Sequence, residues 1–171
     1  GGHALENSLE MLGRFHGAGV RYLTLTWNNA NDWADACCSP PRHGGLTEFG
    51  REVIREMNRL GMLVDVSHAA DATVAHVLEI SEAPILASHS CARALAGLPR
   101  NLTDGQARAI ARRGGVIGVN FFPAFLDERY GTRLEALTEE MEQRARAASA
   151  AHGDRERARR EANAWLRSQL D

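Results

Sequence analysis

Met-Leu-Val-Asp-Val-Ser-His (62–68) and Pro-Ile-Leu-Ala-Ser-His-Ser (84–90) are two short apolar runs, each carrying an imidazole at or near its end. Runs of this length and composition read as strands of a buried parallel sheet. Residues 69–83 between them have the apolar spacing of a helix, so the stretch writes a strand–helix–strand unit. His68 and His89 then stand at the C-terminal mouths of neighbouring strands, where α/β barrels keep their chemistry. Imidazole is a common ligand for zinc and similar metals, and two projecting from adjacent strand ends can converge on one ion.

The flanking sequence repeats the alternation. Leu5, Leu9, Leu12 and Phe15 predict a helix over 5–18 stopped by Gly19, and Val20 to Trp27 predict a strand. Residues 28–45 collect Asn, Asp, Ser, Pro and Gly and form a long loop, a length associated with function. Thr47 caps a helix to about Leu60 that ends at Gly61, and Thr103 or Asp104 opens another to about Arg113. Gly114-Gly115 leads into a strand from Val116 to Phe122. A doubly wound sheet satisfies the same order, but Trp27-Asn28, His68, His89 and Asn120 put polar or aromatic groups at every strand end. The expected class is therefore α/β, a partial (β/α) TIM-like barrel of about four parallel strands with helices, half of the eight a closed barrel needs. From Thr132 the chain turns rich in Ala, Arg and Glu, as one helix or two separated around His152-Gly153-Asp154. The expected organisation is a partial barrel over 1–130 and a charged helical segment over 131–171, inserted within the same barrel domain.

With 171 residues, 44% hydrophobic and 25% charged, the chain has the length and composition of one globular domain. A net charge of −2 offers no electrostatic footprint for nucleic acid, and glutamates interleave the arginines at 155–160, which reads as a solvated helix face. No stretch approaches the roughly 20 apolar residues of a membrane span. The N-terminus lacks the layout of a signal peptide, yet Gly1-Gly2-His3 does not look like a natural start, so localisation stays open. The three cysteines include the adjacent Cys37 and Cys38, which are not expected to pair with each other, and no Cys-x-x-Cys is present.

Other candidate residues keep two readings. Asp65 lies three positions before His68, so alternation turns it away from that imidazole, as an outer-shell partner or a buried hydrogen-bonded acid. Arg100 follows His89 on the same face, where it is either a fork for a substrate carboxylate or a surface arginine. Cys91 could form a nucleophilic pair with His89, but a small buried cysteine is the preferred reading. His3, His16, His43, His76 and His152 are expected to be structural or exposed, without partners.

Taken together, Gly-Gly-His (1–3), Arg-Tyr-Leu-Thr-Leu-Thr-Trp-Asn (21–28), Trp-Ala-Asp (33–35), Gly-Leu-Thr-Glu-Phe-Gly-Arg-Glu-Val (45–53), residues 57–68, residues 83–90, Arg100-Asn101 and Gly-Val-Asn-Phe-Phe (118–122) closely resemble the membrane (renal) dipeptidase family, in collinear order over about residues 1–125. The resemblance implies a zinc dipeptidase of amidohydrolase-like barrel fold, with two zinc ions sharing a bridging glutamate and a bridging water or hydroxide. It implies that His68 and His89 hold one of those ions and that Arg100 binds the substrate carboxylate. The family places its bridging glutamate directly before Gly-Gly-His, and its other metal ligands and catalytic aspartate lie outside these residues. The chain therefore looks like an internal fragment, expected to be inactive by itself, with at most one partial zinc site. Trp27 stands where the best-known mammalian members carry a substrate-contacting histidine, which bears on substrate range. The implied partner is a dipeptide, with no nucleic acid and no membrane span, and an open half barrel could self-associate into a homo-oligomer. The alternative is a non-catalytic, barrel-derived binding or assembly protein whose metal histidines are vestigial.

Overall fold

The computed structural model describes residues 1–170. Strands β1 (Tyr22–Thr24), β2 (Leu63–Asp65), β3 (Ile85–Ala87) and β4 (Val116–Ile117) form one parallel sheet in the order β1-β2-β3-β4. Helices α1 (Leu9–Gly17), α2 (Glu48–Leu60), α3 (Asp71–Ile80) and α4 (Asp104–Arg112) each precede one strand. This is the α/β, partial TIM-like arrangement expected from the alternation.

Register assigns the two faces. Leu23, Val64 and Ile85 stand side by side and are buried with Leu12, Val53, Ile54, Met57, Val74, Val77 and Ile110 of the helices. The other row runs Thr24, Asp65, Leu86 and Val116. Tyr22 at 51%, Leu63 at 41% and Val116 at 62% exposure lie in the same alternation phase as that row. This is the inner face, which a complete barrel fills with layers of side chains.

Local capping explains where the elements differ from the sequence reading. The helix over 5–18 is a 3-10 turn, Gly2–Leu5, followed by α1, because Glu6 and Asn7 take left-handed φ of 48° and 57° and the Ser8 hydroxyl accepts the Met11 N–H. In α2, Thr47 caps Gly50 N–H and Gly61 ends the helix at φ 73°, as read. Thr103 and Gln106 form a capping box on α4. The strands are shorter than their apolar runs, and β4 stops before Gly118. A Cβ at Gly118 would collide with the Ser88 carbonyl, and only glycine lets the two backbones meet there. The Gly118 N–H donates to Ala87 O (2.8 Å) and its carbonyl accepts from Ser90 N–H (2.9 Å), which pins the turn carrying His89.

The loop over 28–45 is held by two buried polar side chains. The Asn31 amide donates to Leu25 O, and its oxygen accepts from Trp33 and Ala34 N–H. Asp35, 1% exposed, accepts from the backbone N–H groups of Arg42 (2.8 Å), His43 (3.1 Å) and Gly45 (2.9 Å). Burial pushes the Asp35 pKa up, but those N–H groups and the nearby His43 together more than offset it and hold the carboxyl below its ordinary value. A depressed folded pKa gives stability that is present above the unfolded value and is lost as pH falls through the folded one. Asp35→Asn is therefore expected to cost about 1–3 kcal/mol at pH 7. In urea titrations the gap from the wild type should narrow below about pH 4. A gap independent of pH would show that the carboxylate charge is not what closes the loop.

The chain divides into two compact units, Gly1–Leu126 and the residues from Asp127 on. The second is a hairpin of α5 (Glu128–His152) and α6 (Arg155–Leu170), broken at Gly153 with φ 70°. Ala158 and Ala162 are buried, and the Arg144 guanidinium lies 4.4 Å from the Trp165 ring centroid. Arg157 pairs with Glu161 and Arg160 with Glu156 one turn away, so these arginines of the patch are neutralised within their own helix. No described helix is long and apolar enough to cross a membrane. The expected end of the helical segment at Asp171 lies outside the described residues.

Candidate metal centre

β2 and β3 deliver the two imidazoles to one place. The ring centroids of His68 and His89 are 4.9 Å apart and their Nε2 atoms 2.9 Å apart. Partners of the other nitrogens dictate the tautomers. His68 Nδ1 faces the Asn28 side-chain oxygen at 3.0 Å, an acceptor, so Nδ1 carries the proton. His89 Nδ1 faces Ser88 Oγ at 2.7 Å, and that hydroxyl spends its only proton on Asp65 Oδ2 at 2.6 Å. Ser88 Oγ must therefore accept, and His89 Nδ1 also carries its proton.

Both Nε2 atoms are left with lone pairs turned toward each other. Burial, then the Arg100 guanidinium, then the neighbouring His89 push the His68 pKa down to about 4. Burial and Arg100 also lower that of His89, so both rings are neutral at pH 7. Two facing lone pairs at that distance repel unless a cation lies between them. The 2.9 Å separation is less than the span of two Zn–N bonds of about 2.0–2.1 Å, so one zinc-sized ion reaches both nitrogens. Among the described residues no third His, Cys, Asp or Glu joins them as a ligand.

Asp65 holds the outer layer of this site. Fully buried, its Oδ1 accepts from Ser67 and Ser88 N–H (both 3.0 Å), and its Oδ2 from Thr24 Oγ (2.7 Å) and Ser88 Oγ (2.6 Å). Ser67 Oγ in turn accepts from the His89 N–H at 3.0 Å. The Asp65 carboxylate is thus hydrogen-bonded to His89 through Ser88 and makes no hydrogen bond to the His68 ring. Strand alternation fails at His68 because its φ is 70°, left-handed for a residue other than glycine. The Cys37 N–H, donating to the His68 carbonyl at 2.8 Å, helps to hold that conformation.

Arg100 is 9% exposed, so the surface-arginine reading does not hold. Its Nη2 donates to the His89 carbonyl (3.2 Å), its guanidinium lies 5.3 Å from the Phe125 ring centroid, and its Nη1 is buried with no protein partner. Burial lowers its pKa, yet a guanidinium keeps its charge, and an unpaired buried donor is costly. An anionic group at Nη1 would satisfy it. Asn101, buried beside it, binds Cys91 N–H, Ala96 O and Phe125 O and so orders the loop that aims Arg100.

Other candidates settle into structural roles. The Cys91 thiol is buried and donates to Asn120 O at 3.2 Å, as its preferred reading required. Three of the histidines expected to lack partners have them: His43 bonds Asn31 O, His76 accepts from Leu46 N–H, and His3 lies 3.2 Å from the Asn29 amide. Turns that close across the sequence created these partners, and no local spacing signalled them. The side chain of His152 lies outside the described residues. Asn28 and Ser88 were visible only as polar neighbours of the strand ends.

Comparison with known proteins identifies the family. The model of the family described as Membrane dipeptidase (Peptidase family M19) matches residues 1–154. Dipeptidase 3 of Mus musculus is 43% identical over 124 residues, which are 70% of this chain and 25% of that protein. The chain thus spans about a quarter of the length of that curated relative. The crystal structure of the probable dipeptidase PvdM from Pseudomonas aeruginosa superposes with a TM-score of 0.72 at 35% identity, covering 81% of this chain and 37% of the other. A metallopeptidase from Rhodobacter sphaeroides, liganded with a phosphinate mimic of the dipeptide L-Ala-D-Ala, gives 0.66 at 36% identity, covering 71% and 36%. With its family model matched across most of its length and its fold shared with solved members, the chain belongs to the membrane dipeptidase family.

Proposed function

We propose that the full-length protein is a zinc-dependent dipeptidase in which His68 and His89 hold one of two ions and Arg100 receives the C-terminal carboxylate of the substrate. The observation that carries this reading is the pair of neutral imidazoles whose free nitrogens face each other at 2.9 Å beside an unpartnered buried guanidinium nitrogen. When bound, zinc polarises a peptide carbonyl and activates a water for attack. The chain's own residues prepare for it. Asn28 and Ser88 fix the rings as Nδ1–H tautomers, and Asp65 keeps Ser88 an acceptor. Arg100 orients a short peptide by a charge-assisted bond that a longer chain, carrying its carboxylate elsewhere, would not make. Dipeptide hydrolysis that is abolished by chelation and restored by zinc tests the reading in the full-length protein. Turnover unchanged after complete metal removal would overturn it.

Residues 131–171 are assigned here to an insertion within the same barrel domain, carrying none of the named site residues. The 171-residue chain alone is expected to be inactive and to hold zinc weakly, because two imidazoles leave a tetrahedral ion short of ligands. Dialysis followed by metal analysis checks this, and retention of one zinc per chain with measurable dipeptide turnover would refute it.

His68 gives a further prediction. Asparagine tolerates left-handed φ, so His68→Asn is expected to leave stability within about 1 kcal/mol of the wild type. Zinc affinity of the full-length protein should fall by more than the 10–100-fold that losing an outer-shell hydrogen bond costs. Undiminished zinc binding, read by calorimetry, would remove His68 from the ligand set.

A further inference from the structure

Cys37 and Cys38 are adjacent, with their sulfurs 3.0 Å apart, and their thiols have none of the roles above. Cys37 is half-buried and Cys38 exposed. The segment presenting them is pinned on both sides. Ala36 bridges Ala69, the Cys37 N–H is bound to His68 O, and the Ser39 hydroxyl accepts from Ala30 N–H at 3.0 Å. Neighbouring α-carbons across a trans peptide lie about 3.8 Å apart, short of the roughly 4.4–6.8 Å that a disulfide prefers. Direct oxidation to a bond between the two sulfurs is therefore disfavoured. A single atom bridging them is not, provided it accepts soft sulfur ligands, needs only two of them and tolerates a narrow angle. Zinc wants four ligands in a tetrahedron and is poorly served.

We propose that Cys37 and Cys38 form a vicinal-dithiol site for trivalent arsenicals, the pyramidal, thiol-seeking centres that meet those three conditions. With an aryl arsenoxide, two As–S bonds form, both S–H bonds break, and the arsenoxide oxygen leaves as water with the two protons. Arsenic stays trivalent and keeps its aryl group, so no oxidant or reductant is needed. The inference stands independently of the metal reading.

Phenylarsine oxide titrated into the 171-residue chain, followed by intact mass and free-thiol counting, tests the site. One equivalent should add one phenylarsenic group per chain and reduce the free thiols from three to one. A small dithiol should reverse the adduct, and a monothiol at the same thiol concentration should not. Cys38→Ser alters an exposed side chain and should leave the circular dichroism spectrum unchanged, and it should weaken uptake at least 100-fold by removing the second, effectively intramolecular bond. Cys91→Ala should bind as the wild type does. Equal uptake by Cys38→Ser and wild type, or reversal by the monothiol, would overturn the proposal.

Discussion

Replacing Asp65 with asparagine is expected to cost the full-length protein about 10–100-fold in zinc affinity and about 1–3 kcal/mol in stability, without touching a proposed ligand. The reason lies in which groups face each carboxylate oxygen. Oδ1 accepts two backbone N–H groups and Oδ2 two hydroxyls, so an amide must set its NH2 against one of these pairs. Against the backbone pair, donors face donors inside the core. Against the hydroxyls, Ser88 becomes the acceptor of the new N–H and donates its own proton to His89 Nδ1. The imidazole then carries its proton on Nε2, and the lone pair facing His68 is gone. Nitrogen chemical shifts of His89 separate this from simple loosening, since Asp65→Asn should invert the tautomer. Ser88→Ala leaves the two backbone bonds of Asp65 in place and should reduce zinc affinity with a smaller stability loss. An unaltered His89 tautomer together with wild-type zinc affinity in Asp65→Asn would show that the relay has no bearing on the metal.

Arg100→Ala in the full-length protein is expected to lower kcat/KM about tenfold to hundredfold, the equivalent of losing a charge-assisted fork of about 1.5–3 kcal/mol. Zinc content should not change, because Arg100 contacts the His89 carbonyl and not the ring nitrogens. A dipeptide compared with its C-terminal amide sharpens the result. The wild type should prefer the free acid strongly, and the variant should lose that preference. A variant that still favours the acid by the wild-type ratio would move the carboxylate contact to another group and leave Arg100 as a brace for the His89 turn.

Much of this centre is legible in one dimension because strand ends are local. The apolar runs before His68 and His89, with a helical spacing between them, already place two imidazoles at neighbouring mouths of a parallel sheet. What spacing does not carry is the shell around them. Asp65 is read as turned away from His68 by strand parity, but the left-handed backbone at His68 breaks that parity. Its link to His89 through Ser88 depends on the register between β2 and β3. The left-handed backbone of His68 has no signal in Val-Ser-His-Ala, where no glycine marks the turn. Strand length differs for a similar reason: Val20 to Trp27 is rich in β-branched and aromatic residues, but the paired ladder spans only Tyr22–Thr24. Burial of Arg100 arises from Phe125 and the Asn101-ordered loop, a contact across 25 residues that no helix or strand period reveals.

The central claim is that one metal ion is shared by His68 and His89, and anomalous diffraction at the zinc edge from crystals of the full-length protein tests it most directly. The account predicts a zinc peak about 2.0–2.1 Å from the Nε2 atoms of both residues, with each Nδ1 still bonded to Asn28 or Ser88. A zinc peak held by other residues, with these two nitrogens free of metal, would contradict it.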